Sequence, residues 1–134
     1  MPNKSALGLD ENIAALLCYL NICLPIGLVV SILVLVQDKN NKLPRFHAFQ
    51  SLFLTVLFII LWIAYIVVGI IAGIIDGILA NTIGFPIFTF LFFGVLGLIG
   101  LGLLIMVIIA AVKAFQGQIY KIPVIGGFAD KYSG

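Results

Sequence analysis

I-A-A-L-L-C-Y-L-N-I-C-L-P-I-G-L-V-V-S-I-L-V-L-V, residues 13–36, is an apolar run without a single charged side chain. A helix of this length measures about 36 Å at about 1.5 Å per residue, against a hydrocarbon core of about 30 Å. Taken as one helix, it crosses a bilayer once. Asp10, Glu11 and Asn12 stand at its start, where carboxylates and a capping amide suit the positive end of a helix dipole. The run exceeds the apolar core of a cleavable signal and has no small-residue cleavage site, so the segment is expected to remain in the mature chain.

Outward from this run the chain keeps the same character. Its 134 residues are 63% hydrophobic and 9% charged, with a mean hydropathy of +1.31. Soluble domains average about 45–50% apolar and about 25% charged, so too few polar side chains exist here to cover a water-facing globule. A second apolar run covers 46–75, its helix opening near Pro44 and closing at Asp76 and Gly77. A loop over 77–85 leads to Pro86, which opens a third run over 86–113, and Gly117 is a stop signal. The chain therefore reads as an all-α integral membrane protein of one domain, 1–134. It has three transmembrane helices, at about 13–36, 46–75 and 86–113, and a short interfacial cytoplasmic tail at 114–134.

Charge sets the number of spans and their orientation. Three spans put Lys39, Lys42, Arg45, Lys113, Lys121 and Lys131 on one side and Lys4 alone on the other. Splitting the third run at its glycines into two spans would leave three basic residues against four. The positive-inside rule favours the stronger asymmetry and predicts a multi-pass protein of the cell membrane, its N-terminus outside and its C-terminus cytoplasmic. A net charge of +2 without a dense basic run gives no reason to expect nucleic acid.

Reactive chemistry is sparse. An ionisable group inside a membrane costs at least about 2.5 kcal/mol and usually marks a relay or a substrate path, but Asp76 is the nearest candidate and reads as a solvated carboxylate at a span end. His47 is the one histidine, and no nucleophile-base pair, zinc motif or phosphate loop accompanies it, so no enzymatic activity and no metal site are expected. Cys18 and Cys23 would point about 140° apart on a helix and read as small core residues. No cofactor is evident. Phe85, Phe88, Phe90, Phe92 and Phe93 read as facing lipid, with a flat lipophilic ligand such as a quinone or pigment as the alternative.

Two features suggest helix packing. Asn21 lies four residues before Pro25, so its freed carbonyl and its amide form a polar notch, read as a kink satisfied by neighbouring helices. Gly69, Gly73 and Gly77 recur every fourth residue, and Gly94, Gly97, Gly100 and Gly102 mark the third run. These bare flanks are expected to meet within the chain, with self-association as the alternative.

Polar residues gather in two stretches. In Arg45-Phe46-His47-Ala48-Phe49-Gln50-Ser51, the phenylalanines share one helical face while His47, Gln50 and Ser51 share another. Arg45 sits at a helix N-terminus, where the dipole disfavours a cation and lipid phosphate or a partner must offset it. The second stretch, 114–126, includes Gln116, Tyr120, Lys121 and Pro123. It is too apolar for a free tail and too broken by Gly and Pro for a helix. Three spans bring both stretches to one side. His47 or Gln50 is expected within about 4 Å of a residue between Lys113 and Gly126, forming with Arg45, Ser51, Gln116, Tyr120, Lys121 and Pro123 a cytoplasmic platform for a partner or lipid headgroups.

R-F-H-A-F-Q-S at 45–51, A-F-Q-G at 114–117, I-P-V-I-G at 122–126 and A-L-L-C-Y-L at 15–20 resemble a family of small bacterial membrane proteins. That family is related to the twenty-kilodalton component of the Tic translocon in the chloroplast inner envelope. The resemblance implies a part in moving proteins across a membrane, as an oligomer or with other subunits. It departs from the plastid pattern in having three spans rather than four and in carrying His47 where asparagine is usual. Three helices without a polar stripe do not enclose a pore. The residues themselves favour a structural or accessory subunit of a larger membrane complex, whose partners are membrane lipids and other membrane-protein subunits or further copies of the chain.

Overall fold

The apolar run that opens the chain does not form one helix. In the computed structural model, which describes residues 3–20 and 25–134, α1 is Glu11–Leu17 and α2 is Ile26–Gln37. Ala14 and Cys18 of the first arm are buried against Val34 of the second, with Ala48 completing the cluster. The residues before α1 meet those after α2: the Ala6 N–H donates to Asp38 Oδ2 at 3.3 Å, and Asn41 Nδ2 donates to the Lys4 carbonyl at 3.0 Å. The run thus returns to the end it left, and the expected single span over 13–36, with its ends on opposite sides, is corrected. Pro25, read as a kink, stands at the N-terminal boundary of α2. Asn21 and Cys23 lie outside the described residues.

Three further helices follow: α3, Lys42–Ile83, α4, Ile87–Phe115, and α5, Ile125–Ser133. No strand occurs among the described residues. Pro44 falls in the first turn of α3, where its missing N–H has no helical partner to lose. Gly77 does not close that helix. It runs on to Gly84, whose φ of +71° and N–H bond to the Ala80 carbonyl at 3.0 Å form the stop. Gly117 ends α4 as the sequence suggests, with φ +73° and paired bonds from Gly117 N to Ala114 O and from Gln118 N to Lys113 O. A side chain at Gly117 would press on the Asn12 amide, 3.1 Å away.

The residues up to Leu57 form one compact unit with Met106–Gly134, and Phe58–Ile105 forms a second. The core of the first unit is built from Ala15, Tyr19, Leu54, Val107, Ala110, Ala114 and Ile122, whose several alanines let helices approach closely. In the second unit Tyr65 packs against Phe92 and Phe93, with ring centroids 6.0 and 5.3 Å apart. Its remaining surface is apolar and uncovered: Trp62 is 66% exposed, Ile78 72% and Leu98 73%. Helices buried in a water-soluble core would show the opposite pattern. At 42 and 29 residues, α3 and α4 are long and apolar enough to cross a membrane.

Candidate functional site

The start of α3, the turn after α1 and the tail after α4 converge on one buried polar cluster. On α3, His47, Gln50 and Ser51 follow one another at helical spacing and share a face. His47 Nε2 lies 3.0 Å from the Gln118 carbonyl, which only accepts, so Nε2 carries the proton and Nδ1 is the acceptor. The Tyr19 hydroxyl, 2.6 Å from Nδ1, is then the donor there, and its oxygen accepts from Gln50 Nε2 at 2.8 Å. Gln50 Nε2 also donates to the Tyr120 carbonyl at 3.0 Å, while Gln50 Oε1 accepts from the Ile122 N–H at 3.1 Å.

The tail residues used are 118, 120 and 122, alternate positions of a non-helical segment. Side chains of α3 satisfy this tail backbone as a neighbouring strand would. The expected approach of His47 and Gln50 to the tail is therefore present. Both side chains are fully buried and Ser51 nearly so, its hydroxyl donating to the carbonyl of Cys18, the C-cap residue of α1. These groups are bonded within the chain. The surface they were expected to offer a partner is an interior seam.

The other expected platform residues separate. Arg45 Nη1 donates to the Leu35 and Asp38 carbonyls at 3.3 and 3.5 Å, at the carboxyl end of α2, and its guanidinium stands 5.8 Å from the Phe49 ring. That helix end carries negative partial charge and offsets the arginine, a task expected of lipid phosphate or a partner. Lys121 donates to Asp130 Oδ2 at 2.8 Å, and Lys42 lies 3.2 Å from Oδ1, tying α5 to the start of α3. Hydrogen bonds from Lys121, then from Lys42, hold the Asp130 carboxyl below its ordinary range. Gln116 and Pro123 are exposed and outside the cluster, and Tyr120 enters it through its carbonyl alone.

Sequence reasoning missed Tyr19, Gln118 and Asp130. Tyr19 carried a readable signal, a phenolic hydroxyl within a run of mostly apolar residues, which needs a partner once buried. Gln118 contributes a main-chain carbonyl that any residue has, so no side-chain signal pointed to it.

In the second unit Asp76 is 8% exposed, and its carboxylate accepts from the Phe88 and Thr89 N–H groups at 3.1 and 2.7 Å. It caps the start of α4 and is not the solvated end group expected. The expected glycine-to-glycine packing is also corrected. A Cβ at Gly69 would lie 3.6 Å from the Phe92 ring, whereas Gly73, Gly77, Gly94 and Gly97 have nothing within 4 Å. Each four-residue step rotates about 40° around a helix, so a stripe that starts near α4 at Gly69 has turned away by Gly77. Phe85 packs on Phe90, with centroids 5.7 Å apart.

Comparison with known proteins places the chain. The magnetosome magnetite crystal formation protein family matches residues 10–129, so the chain belongs to that family. A UPF0132 membrane protein of Methanocaldococcus jannaschii is 34% identical over 130 residues, covering 97% of this chain and 94% of the relative. A second UPF0132 membrane protein of the same organism is 33% identical over 129 residues, covering 95% of this chain and 73% of the relative. No solved structure matches. These matches overturn the resemblance to relatives of the chloroplast Tic component, since nothing in them links the chain to protein import. The motifs behind that resemblance supply the buried seam just described.

Proposed function

We propose that this member of the family is a non-enzymatic membrane protein that acts by assembly, as a small structural or accessory subunit packing sideways against other membrane-protein subunits or further copies of itself. In this reading α3 and α4 cross the bilayer, and the α1–α2 pair dips in from one surface in place of a third crossing. The chain sits in the cell membrane with both ends cytoplasmic. All seven basic residues belong to the unit containing both termini, and four of the five acidic ones do, leaving that unit at +3 and the other at −1. The positive-inside rule supports a cytoplasmic position for the basic unit.

The observation that carries the assembly reading is the uncovered surface of Phe58–Ile105, where Gly73, Gly77, Gly94 and Gly97 touch nothing and large apolar side chains stand out. Bare helix flanks allow a close neighbour. The buried polar groups of the other unit are bonded to one another, which favours a holding role over chemistry. The family description names magnetite crystal formation in magnetosomes.

Extraction from native membrane into copolymer-bounded discs, followed by mass measurement, tests the proposal. Particles holding several chains are expected. Discs holding one 14.5 kDa chain and lipid alone would overturn it.

A further inference from the structure

We infer that α5 is an interfacial anchor, seated at the headgroup boundary of an anionic bilayer with Phe128, Tyr132 and the preceding Val124 in the lipid. This goes beyond the assembly reading and needs neither a partner nor a particular sidedness.

The helix has three faces. Gly126, Ala129 and Ser133 are buried inward against the protein. At about 100° per residue, Ile125, Phe128 and Tyr132 fall on one flank, and Gly127, Asp130 and Lys131 on the other. The apolar flank is continuous with α3, which is long and apolar enough to cross a membrane. Phe128 packs on Phe53 with centroids 6.2 Å apart, and Tyr132 packs on Phe49 and Phe53 at 6.2 and 6.1 Å. Phe128 and Tyr132 nevertheless keep 52% and 54% of their surface open. An amphipathic helix with aromatic rings on one side and charge on the other lies in the plane of a membrane surface.

Val124 strengthens the case. Its φ of 68° and ψ of −57° place a β-branched residue where L side chains are strained, and it is 77% exposed. The turn is fixed by Ile125 N–H on the Pro123 carbonyl at 2.8 Å and Gly126 N–H on the Ile122 carbonyl at 2.7 Å. Gly126 is needed there, since a Cβ would fall 2.5 Å from Lys121 Cα. The strained turn holds an isopropyl group outward, an arrangement without benefit in water and favourable among acyl chains. Charge selects the headgroup. Lys42 and Lys121 share one carboxylate, that of Asp130, and Lys131 reaches over the Tyr132 ring, so cations outnumber anions along the polar flank.

The test uses the full chain with Trp62→Phe, which removes its one tryptophan. Phe128→Trp or Gly127→Trp is then introduced, and the chain is reconstituted in phosphatidylglycerol–phosphatidylcholine vesicles with brominated acyl chains. Phe128→Trp should be quenched several-fold more than Gly127→Trp, most strongly by bromine near the headgroup. In phosphatidylcholine alone the difference should shrink, and an unchanged difference would remove the anionic part of the proposal. Equal, weak bromine quenching of both overturns the anchor: strong iodide quenching then places the flank in water, and shielding from iodide places it under protein. A polarity-sensitive dye at Val124→Cys, with Cys18 and Cys23 replaced, guards against misfolding of the tryptophan variants. It should report an acyl environment, and a water-like emission would contradict the proposal.

Discussion

The unit formed by the two ends of the chain and the unit Phe58–Ile105 share the helices α3 and α4, yet they are held in opposite ways. In the first, Tyr19, His47, Gln50 and Ser51 are buried and bonded to each other and to the backbone of the turn and tail. In the second, one carboxylate, Asp76, and a few aromatic rings join two helices whose other faces are bare. A membrane offers little hydrophobic force between helices, because lipid is as apolar as leucine. Where this chain needs a fixed shape it uses hydrogen bonds, and where it leaves surface open it uses glycine and aliphatic side chains.

The contrast can be broken most sharply at Gln50. Gln50→Leu removes the partners of Tyr19, Tyr120 and Ile122 together, and stranded buried groups cost about 1–3 kcal/mol each. A loss of about 3 kcal/mol is expected by unfolding in mixed micelles, with amide exchange over 118–122 rising and that of 61–76 unchanged. Exchange rising equally everywhere would erase the distinction between the units. Gly126→Ala comes next, because its methyl group would collide with the Lys121 backbone, and overpacking of this kind costs about 1–3 kcal/mol. Its effect should be confined to the tail.

Asp76→Ala perturbs the second unit instead. Loss of a helix cap costs about 0.5–2 kcal/mol, here by fraying the start of α4 and leaving the Gln50 seam intact. A seam that loosens as well would show that the units share one cooperative structure.

How much of this was legible in the sequence follows the same divide. The second and third apolar runs became helices because their length and uniform hydropathy admit no other structure in lipid, and Pro86 and Gly117 mark ends through local backbone chemistry that any context preserves. Gly77 misled, since a glycine inside a lipid-facing helix need not break it and Asp76 found its partner on another helix. Residues 13–36 misled most. Hydropathy measures the length of an apolar run and not its direction, so a returning pair of short helices passes as one span. Under the proposed arrangement with two crossings, the rule that preferred six basic residues against one would prefer seven against none more strongly. The meeting of the two polar stretches was legible because buried backbone groups need partners, whereas nothing in the sequence showed that His47, Gln50 and Ser51 would be buried and bonded within the chain.

Two smaller effects follow. Asp130 has its carboxyl held below the ordinary range by Lys121 and Lys42, so its ties are intact at neutral pH. They are lost as pH falls through and below that range. Amide exchange over 125–133 should rise on acidification, and Asp130→Asn should remove that rise. A rise that persists in the variant would assign the pH response elsewhere. The smallest effect is expected for Gly73→Leu, at a position where an added Cβ has nothing within 4 Å, and stability should change by less than about 0.5 kcal/mol. Any change should appear in the number of chains per particle, and a large loss of monomer stability would mean that this face is covered by the chain itself.

Single cysteines read out whether the first apolar run returns to the side of the membrane from which it starts. With Cys18 and Cys23 replaced, Lys4→Cys, Lys39→Cys and Lys131→Cys are placed one at a time and exposed to an impermeant thiol reagent in sealed vesicles of known orientation. All three should react from the same side. Labelling of Lys4→Cys from the side opposite to Lys39→Cys and Lys131→Cys would restore a crossing helix over 13–36 and rule out the returning pair.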